Sequence, residues 1–569
     1  MCRLCDAGFR QKYFNSRRSF LKGAAATSIA AAGGLKLFAP RPAAAQGNAP
    51  LSSGVPGRRY VIRGGAVMTM DPSVGQPEDK IVGGFSKADV LVEGKKILAV
   101  GPNLGSVGNA GEIDARGRIV MPGFIDTHHH QFETALRSFL ADGVLINDTS
   151  GSPSGSTTYF EFILLKFAPV YRPQDVYINE LFGGLSQLDD GVTTVHDVSQ
   201  IQHSPKHSDA AIQALYDAGR RFAFGFFESA GANILGTNPG NKYPTDAPRI
   251  KQQWFSSSDQ LGHMIMGGEV YLGNPSTDLS WTIGRQLGLQ VAAHILSPFG
   301  ITPILDALAD GHGGGTDVPP GNPGNGKIAI GPDNLFIHMT GQSPKGWQAV
   351  HDKGAQVSIA FPIEMNMRHG IPPIIKMQQM SMASGTPFEP SLSVDVECTM
   401  TADFFTQMRV AMNMQRMVVN QMILEQGANG TKIETASDSF YPPNQWPTPA
   451  ASIPPLLTTR DVLRYATMNG AKALRLDGKV GSLTPGKEAD IIILDATKLN
   501  VTPLNQVPGA VVSLMDRTNV ETVIVAGKIR KWKGQLLDVD LDRLRSQLEA
   551  SRDYIFQAAK VPQNLFSSQ

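Results

Sequence analysis

The sequence predicts an α/β chain: a (β/α)₈ TIM barrel carrying a small β-sandwich built from both chain ends. Three observations predict it. Short apolar runs alternate with helix-length segments through the middle of the chain, hairpin-like β segments occupy both flanks, and histidine or aspartate stands directly after several of the runs. The 569 residues are 41% hydrophobic and 18% charged, a composition able to bury a large core and far from that of a disordered chain.

The chain opens with a distinct segment, residues 1–45. It holds eight of the 51 basic residues (Arg3, Arg10, Lys12, Arg17, Arg18, Lys22, Lys36, Arg41) and one of the 50 acids, Asp6, which leaves 43 basic and 49 acidic residues for the rest. That balance excludes the clustered basic surface nucleic acid requires, so no nucleic-acid partner is expected. Ser16-Arg17-Arg18-Ser19-Phe20-Leu21-Lys22, the weakly apolar stretch after it and Ala43-Ala44-Ala45 resemble a bacterial twin-arginine signal peptide with its cleavage site. The resemblance implies a periplasmic protein, exported folded, with the twin-arginine translocase as a transient partner. The stretch around Gly23 to Ala39 is broken by Gly, Thr and Lys and falls short of the ~18 residues of a membrane span, so no stable membrane association is expected. Cleavage removes Cys2 and Cys5 and leaves Cys398, so the mature chain can form no internal disulfide. Homo-oligomerisation is compatible with the sequence but not specified by it.

Residues 46–58 read as a Pro/Gly/Ser linker and residues 59–118 as the first part of the sandwich: Arg59 to Met70, Asp89-Val90-Leu91-Val92 turning through Glu93-Gly94-Lys95 into Ile97-Leu98-Ala99-Val100, and Glu112-Ile113-Asp114. Residues 119–479 read as the barrel. Its eight runs are 123–126, 192–195, 222–226, 269–272, 290–293, 334–337, 356–360 and 391–394. Residues 480–535 return to β structure, with Ala489 to Asp495 and Val523-Ile524-Val525 turning at Ala526-Gly527-Lys528, and residues 536–569 form a helix and tail. A Gly/Pro-rich insertion at 313–324 reads as a loop between the fifth and sixth runs.

In a barrel of this kind chemistry sits where strands end. His128-His129-His130 follows the first run, His294 the fifth, His338 the sixth and Asp395 the eighth. On an extended segment His128 and His130 point the same way, which suits chelation of one ion. Imidazole with carboxylate suits zinc or iron and leaves an open position for water. A triple histidine alone is only a polar loop; convergence with other strand ends is what argues for a metal. His129 and His196, the latter following the second run, are weaker candidates for backing the site or touching substrate.

Pro122-Gly123-Phe124-Ile125-Asp126-Thr127-His128-His129-His130 resembles the HxH signature of the metal-dependent amidohydrolase superfamily, in its branch of cytosine deaminase, imidazolonepropionase and the triazine hydrolases. Ala466-Thr467-Met468-Asn469-Gly470-Ala471-Lys472-Ala473-Leu474 and Gly481 to Asp490 are similar to that family's closing helix and its return to the sandwich. The resemblance covers about Arg59 to Tyr554. It implies that His128, His130, His294 and Asp395 hold one divalent metal, zinc with iron as the alternative, and that Asp395 and His338 are catalytic. Zinc lowers the pKa of its water from about 15.7 toward 7, Asp395 takes the proton and hands it to a leaving nitrogen, and His338 polarises the centre under attack. Binuclear relatives bridge two ions with a carboxylated lysine after strand four, and Glu269 to Pro275 contains no lysine.

One position departs from the pattern. Deaminases of this branch place a glutamate three residues after the strand-five histidine, and here that position is Ser297, which cannot relay protons as a carboxylate does. Glu228, Glu364 and Glu397 lie near strand ends as candidate substitutes, against their plainer reading as supporting or solvated carboxylates. The expected function is metal-dependent hydrolysis of a non-peptide C–N bond of amide, urea or lactam type in a small molecule. Two alternatives stand beside it: a deaminase or dechlorinase of nitrogen heterocycles, and a non-catalytic binding descendant of the fold.

Overall fold

Strands from both ends of the chain interleave in one sheet. The N-terminal side contributes β1 (Arg59–Val67), β2 (Ala88–Glu93), β3 (Lys96–Gly101), β4 (Gly111–Asp114) and β5 (Arg118–Pro122), and the C-terminal side β14 (Ile491–Asp495), β15 (Val520–Val525), β16 (Lys528–Trp532) and β17 (Gln535–Leu536). Their order is β17-β16-β15-β14-β5-β1-β2-β3, with β4 on β1. The join is antiparallel, from Arg118 opposite Asp495 to Pro122 opposite Ile491. Residue 119, the expected start of the barrel, therefore lies in this sheet: Ile119 and Val120 pair with β1 on one side and β14 on the other, so both edges of β5 are taken. The computed structural model describes residues 49–50, 52–75, 88–146, 158–229, 240–269, 276–296, 304–309, 328–426 and 449–565. The leader at 1–45, Ser297 and the insertion at 313–324 lie outside the described residues. The strands of this sheet and those of the barrel belong to one compact unit, Pro50–Gln569.

The second sheet is the barrel. Its parallel strands follow one another in chain order: β6 (Phe124–His129), β7 (Val192–Ser199), β8 (Arg221–Phe226), β9 (Gly262–Gly267), β10 (Gln290–Ile295), β11 (Asn334–His338), β12 (Gln356–Ile359) and β13 (Ser391–Leu392). Every residue of β6, β7, β8, β10 and β11 is buried, as expected of parallel strands covered on both faces. The expected fourth run, 269–272, is corrected. The strand is Gly262–Gly267, paired with β8 from Phe222–Gly262 to Phe226–Met266, and Glu269 lies beyond its end. Glycines weaken strands in general, which hides this one. Gly262 is there because a Cβ would meet the Phe222 ring at 2.4 Å.

The last strand is two residues long, so the seam between β13 and β6 is closed by other means. His130 N donates to Asp395 O at 2.7 Å and Asp395 N to His128 O at 2.9 Å. Asp126 Oδ1 accepts from His128 N at 3.2 Å and Val394 N at 3.1 Å, its other oxygen accepts from Gln187 Nε2 at 2.7 Å, and Thr127 Oγ1 donates to Leu392 O at 2.9 Å. Burial pushes the Asp126 carboxyl up to about 7 despite these donors. The aspartate and threonine of the signature are thus clamps, and they bring the HxH segment and Asp395 to one seam.

The C-terminal motifs dock the two sheets. In the helix Met468–Ala473 a Cβ on Gly470 would stand 2.8 Å from Ile125 Cβ, so glycine lets that helix lie directly on the first barrel strand. Further on, Glu488 and Asp490 grip Arg221 at the start of β8. Nη2 meets Glu488 Oε2 at 2.7 Å and Nε meets Asp490 Oδ2 at 3.0 Å, with the arginine side chain 1% exposed. The helix Leu541–Ala559 packs Phe556 between Phe139 and Phe167, with ring centroids 5.2 and 4.8 Å away. Among the described residues no helix is long and apolar enough to cross a membrane.

Candidate metal centre

His128, His130, His294, His338 and Asp395 converge at the C-terminal ends of the barrel strands. Ligand atoms of His128, His130 and His294 lie within 4.8 Å of one another, as do those of His128, His338 and Asp395. Asp395 is the hub: Oδ1 lies 3.0 Å from His128 Nε2 and 3.7 Å from His130 Nε2, and Oδ2 lies 3.6 Å from His338 Nε2. Burial, then the neighbouring imidazoles, holds His128 and His130 well below the usual histidine range. Neutral rings are the form that ligates metal.

Three of the rings are oriented from behind through Nδ1. That of His130 faces Val198 O at 3.0 Å, that of His338 faces Glu364 Oε1 at 3.0 Å, and that of His294 pairs with Glu269 Oε1. Each leaves Nε2 for the centre, and a carboxylate behind a ligating imidazole raises its basicity. Burial pulls His294 down, and the charge and hydrogen bond of Glu269, together with the Asp395 and Glu228 charges, more than offset it, leaving the group above the usual range. The buried His128 Nδ1 has no hydrogen-bond partner. A dry cluster of imidazoles around one carboxylate, with ring nitrogens aimed at a common point, fits a divalent ion better than it fits an empty core.

Backbone conformation contributes too. His338 has φ +71° and Asp395 φ +72°, the left-handed region, where a non-glycine residue costs about 1–3 kcal/mol unless its surroundings hold it. Both turn the chain sharply at a strand end and so aim their side chains inward.

The weaker candidates sit elsewhere. His129 is fully buried on the opposite face of β6, 3.8 Å from Asp126 Oδ2 and 3.9 Å from Glu397 Oε2. His196 is buried beneath the cluster, with Nδ1 on Thr127 O at 2.9 Å, and burial lowers it to about 4. Glu228 Oε1 accepts from Glu269 N at 3.2 Å, Glu364 backs His338, and Glu397 pairs with Arg137 at 2.6 Å. None of these lines the cleft.

That cleft opens directly over the cluster. Two of its residues carry no signal in sequence. His369, 3% exposed, stands edge-on to His338 with ring centroids 4.7 Å apart, and burial lowers it to about 3. Tyr159 donates to Glu133 Oε1 at 2.5 Å, and burial pushes that carboxyl up to about 8. The role of Glu269 also escapes sequence reasoning, because the expected fourth run begins on this residue instead of ending before it.

A parallel eight-stranded barrel with a His/Asp cluster at its strand ends defines a metal-binding hydrolase site. Residues 119–530 match the Amidohydrolase family, and the chain belongs to that family, a group of hydrolases acting on C–N bonds. It is 23% identical over 452 residues to a 5-methylthioadenosine/S-adenosylhomocysteine deaminase of Acetivibrio thermocellus, covering 76% of this chain and 86% of that one. It is 24% identical over 500 residues to a 5'-deoxyadenosine deaminase of Methanosarcina mazei, covering 87% and 97%. Among solved structures, an adenosine deaminase of Xanthomonas campestris with bound zinc aligns with TM-score 0.65 at 19% identity, over 88% of this chain and 98% of that one. The zinc complex of atrazine chlorohydrolase TrzN of Arthrobacter aurescens aligns with TM-score 0.65 at 18% identity, over 87% and 100%.

Proposed function

We propose that the protein hydrolyses an amide, urea or lactam-type C–N bond of a small molecule, using one zinc ion, or iron in its place, held by His128, His130, His294 and Asp395. One observation carries this reading: among the described residues lining the cleft, Asp395 is the only carboxylate. A bound divalent ion supplies positive charge and makes water acidic enough to lose a proton near neutral pH. Asp395 accepts that proton and delivers it to the leaving nitrogen, so one carboxylate serves both steps. His338, held through Nδ1 by Glu364, keeps Nε2 toward the reacting centre, where Nε2, when it carries a proton, donates to the oxygen of the group under attack. Deamination of a nitrogen heterocycle is the second reading, favoured by the deaminase and chlorohydrolase relatives; it needs a further acid at the place Ser297 holds.

A panel of amides, ureas and amino-heterocycles, run on wild type and Ser297→Glu with ammonia or amine release as readout, separates the two. Wild type is expected to cleave amides or ureas, and Ser297→Glu to help only heterocycles. Efficient heterocycle deamination by wild type with no amide or urea turnover reverses the assignment. A single ion is supported by the absence of lysine from Gly262–Gly267 and Glu269 to Pro275. Elemental analysis of protein purified without added metal should give close to one zinc or iron per chain, and a ratio near two excludes the single-ion site.

The same reading makes residues 1–45 a twin-arginine leader and the mature enzyme periplasmic, supported by Arg17-Arg18 and Ala43-Ala44-Ala45. Changing Arg17 and Arg18 together to Lys should retain the full-length chain in the cytoplasm on fractionation; normal periplasmic levels argue against the leader. We also read residues 59–118 and 480–535 as one two-layered sandwich, supported by β1, which pairs with β2 from Arg59 to Gly65 and with β5 at Ala66 and Val67.

A further inference from the structure

The walls of the cleft narrow the substrate further than the metal cluster does. Apart from the cluster, the described lining is Leu145, Leu164, Leu296, Met367, Val396 and Tyr159, with Gln200 and His369 as its polar additions. The Tyr159 hydroxyl is committed to Glu133. Leu164 reaches the cleft from the π-helical stretch Phe160–Phe167, a geometry rare in proteins and concentrated at functional sites. No lysine or arginine is among these lining residues. A substrate carboxylate or phosphate desolvated against these described residues would find among them no charge-assisted partner of the kind buried anions need. A ribose diol fares no better with these residues, because Asp395, the only carboxylate among the described lining residues, already faces three imidazoles.

His369 is, of these two polar residues, the one that stands against the cluster. It sits between Arg368 and Gly370, whose φ values of +61° and +124° turn the backbone sharply on either side of it. The turn carries the imidazole over the rim to stand against His338. Its position beside a reacting-centre residue, on the cleft surface, suits reading a substrate's polar edge rather than gripping an ion.

Building on the C–N hydrolase reading, we propose that the substrate is an uncharged compound with an apolar, planar body, and that His369 is the specificity residue that hydrogen-bonds its polar edge. The body packs on the Leu145, Leu164 and Met367 side, and the scissile carbon is presented to Asp395 and His338. A neutral imidazole can donate one hydrogen bond and accept one, so it recognises an amide or ring-nitrogen edge without selecting for charge.

Calorimetric titration of the zinc-loaded full chain tests this independently of turnover. The probes are acetanilide and a dialkylamino-triazine, each paired with its carboxylate-bearing analogue, and adenosine as the ribose-bearing control. Each neutral member is expected to bind at least tenfold more tightly than its charged partner and than adenosine. His369→Ala should weaken neutral binding about tenfold with zinc content unchanged, and His369→Gln should restore part of the loss. Equal or tighter binding of the carboxylates or of adenosine overturns the proposal, as does failure of both neutral probes to bind. Unchanged affinity in His369→Ala overturns the role of His369. Neutral probes that bind but are never hydrolysed contradict the hydrolase reading while leaving the substrate class standing.

Discussion

Asp395→Asn is expected to lower turnover roughly 10⁴-fold on any substrate while the protein stays folded. Asparagine tolerates the left-handed backbone that Asp395 adopts at φ +72°, and the two main-chain hydrogen bonds of residue 395 across the barrel seam survive the change. What is lost is chemical. The amide cannot accept a proton from water, cannot return one to the leaving nitrogen, and cannot offset the charge of a divalent ion that His128, His130 and His294 would hold beside it. Turnover number measured beside the melting temperature checks this; a folded variant within tenfold of wild type would remove Asp395 from the chemistry.

The second large effect is on stability. Arg221→Met should destabilise the protein by about 3–5 kcal/mol, because it removes the nearest countercharge of Glu488 and Asp490, each 4% exposed, and leaves Glu488 only Lys95 and Lys96 at 3.6 and 3.8 Å. Burial works to raise the Glu488 carboxyl, yet the Arg221 charge and hydrogen bond hold it below its usual value. A carboxyl whose folded value is depressed contributes stability above its unfolded pKa and loses it as pH falls through the folded value. The gap between wild type and Arg221→Met should therefore be wide at pH 7 and narrow toward pH 4, as Glu488 takes up a proton. Urea midpoints at the two pH values measure it. A constant gap, or none, contradicts the clamp.

Much of the barrel was legible because parallel strands covered on both faces are written as continuous apolar runs, as in Val192 to Val195 or Asn334 to Ile337. Gly262-His263-Met264-Ile265-Met266-Gly267 escaped because its ends answer to the Phe222 and Phe227 rings, a constraint that exists only across space. The histidines and Asp395 were readable for a related reason: each stands at or directly after its run, so strand position and chemistry coincide along the chain. Glu269, Glu364 and His369 do not share that coincidence. Glu269 and Glu364 act on rings 25 and 26 residues away, and His369 reaches His338 through a turn set by Arg368 and Gly370. The clamp roles of Asp126 and Thr127 were hidden in plain view, inside a signature whose histidines drew the chemical reading.

The seam between the first and last barrel strands has a topological consequence. His128 and Asp395 are 267 residues apart in sequence, yet they meet at the point where a two-residue strand leaves the barrel's ladder thinnest. Anything gripped jointly by the HxH segment and Asp395 acts as a non-covalent cross-link that closes the longest loop the barrel contains. Such a tie opposes opening of the whole barrel at once, because parting the seam means releasing whatever both segments hold. Its strength is set by occupancy, through the linkage between ligand binding and folding. The seam with the shortest strand of the barrel is thus also the one that the His128–Asp395 contact spans.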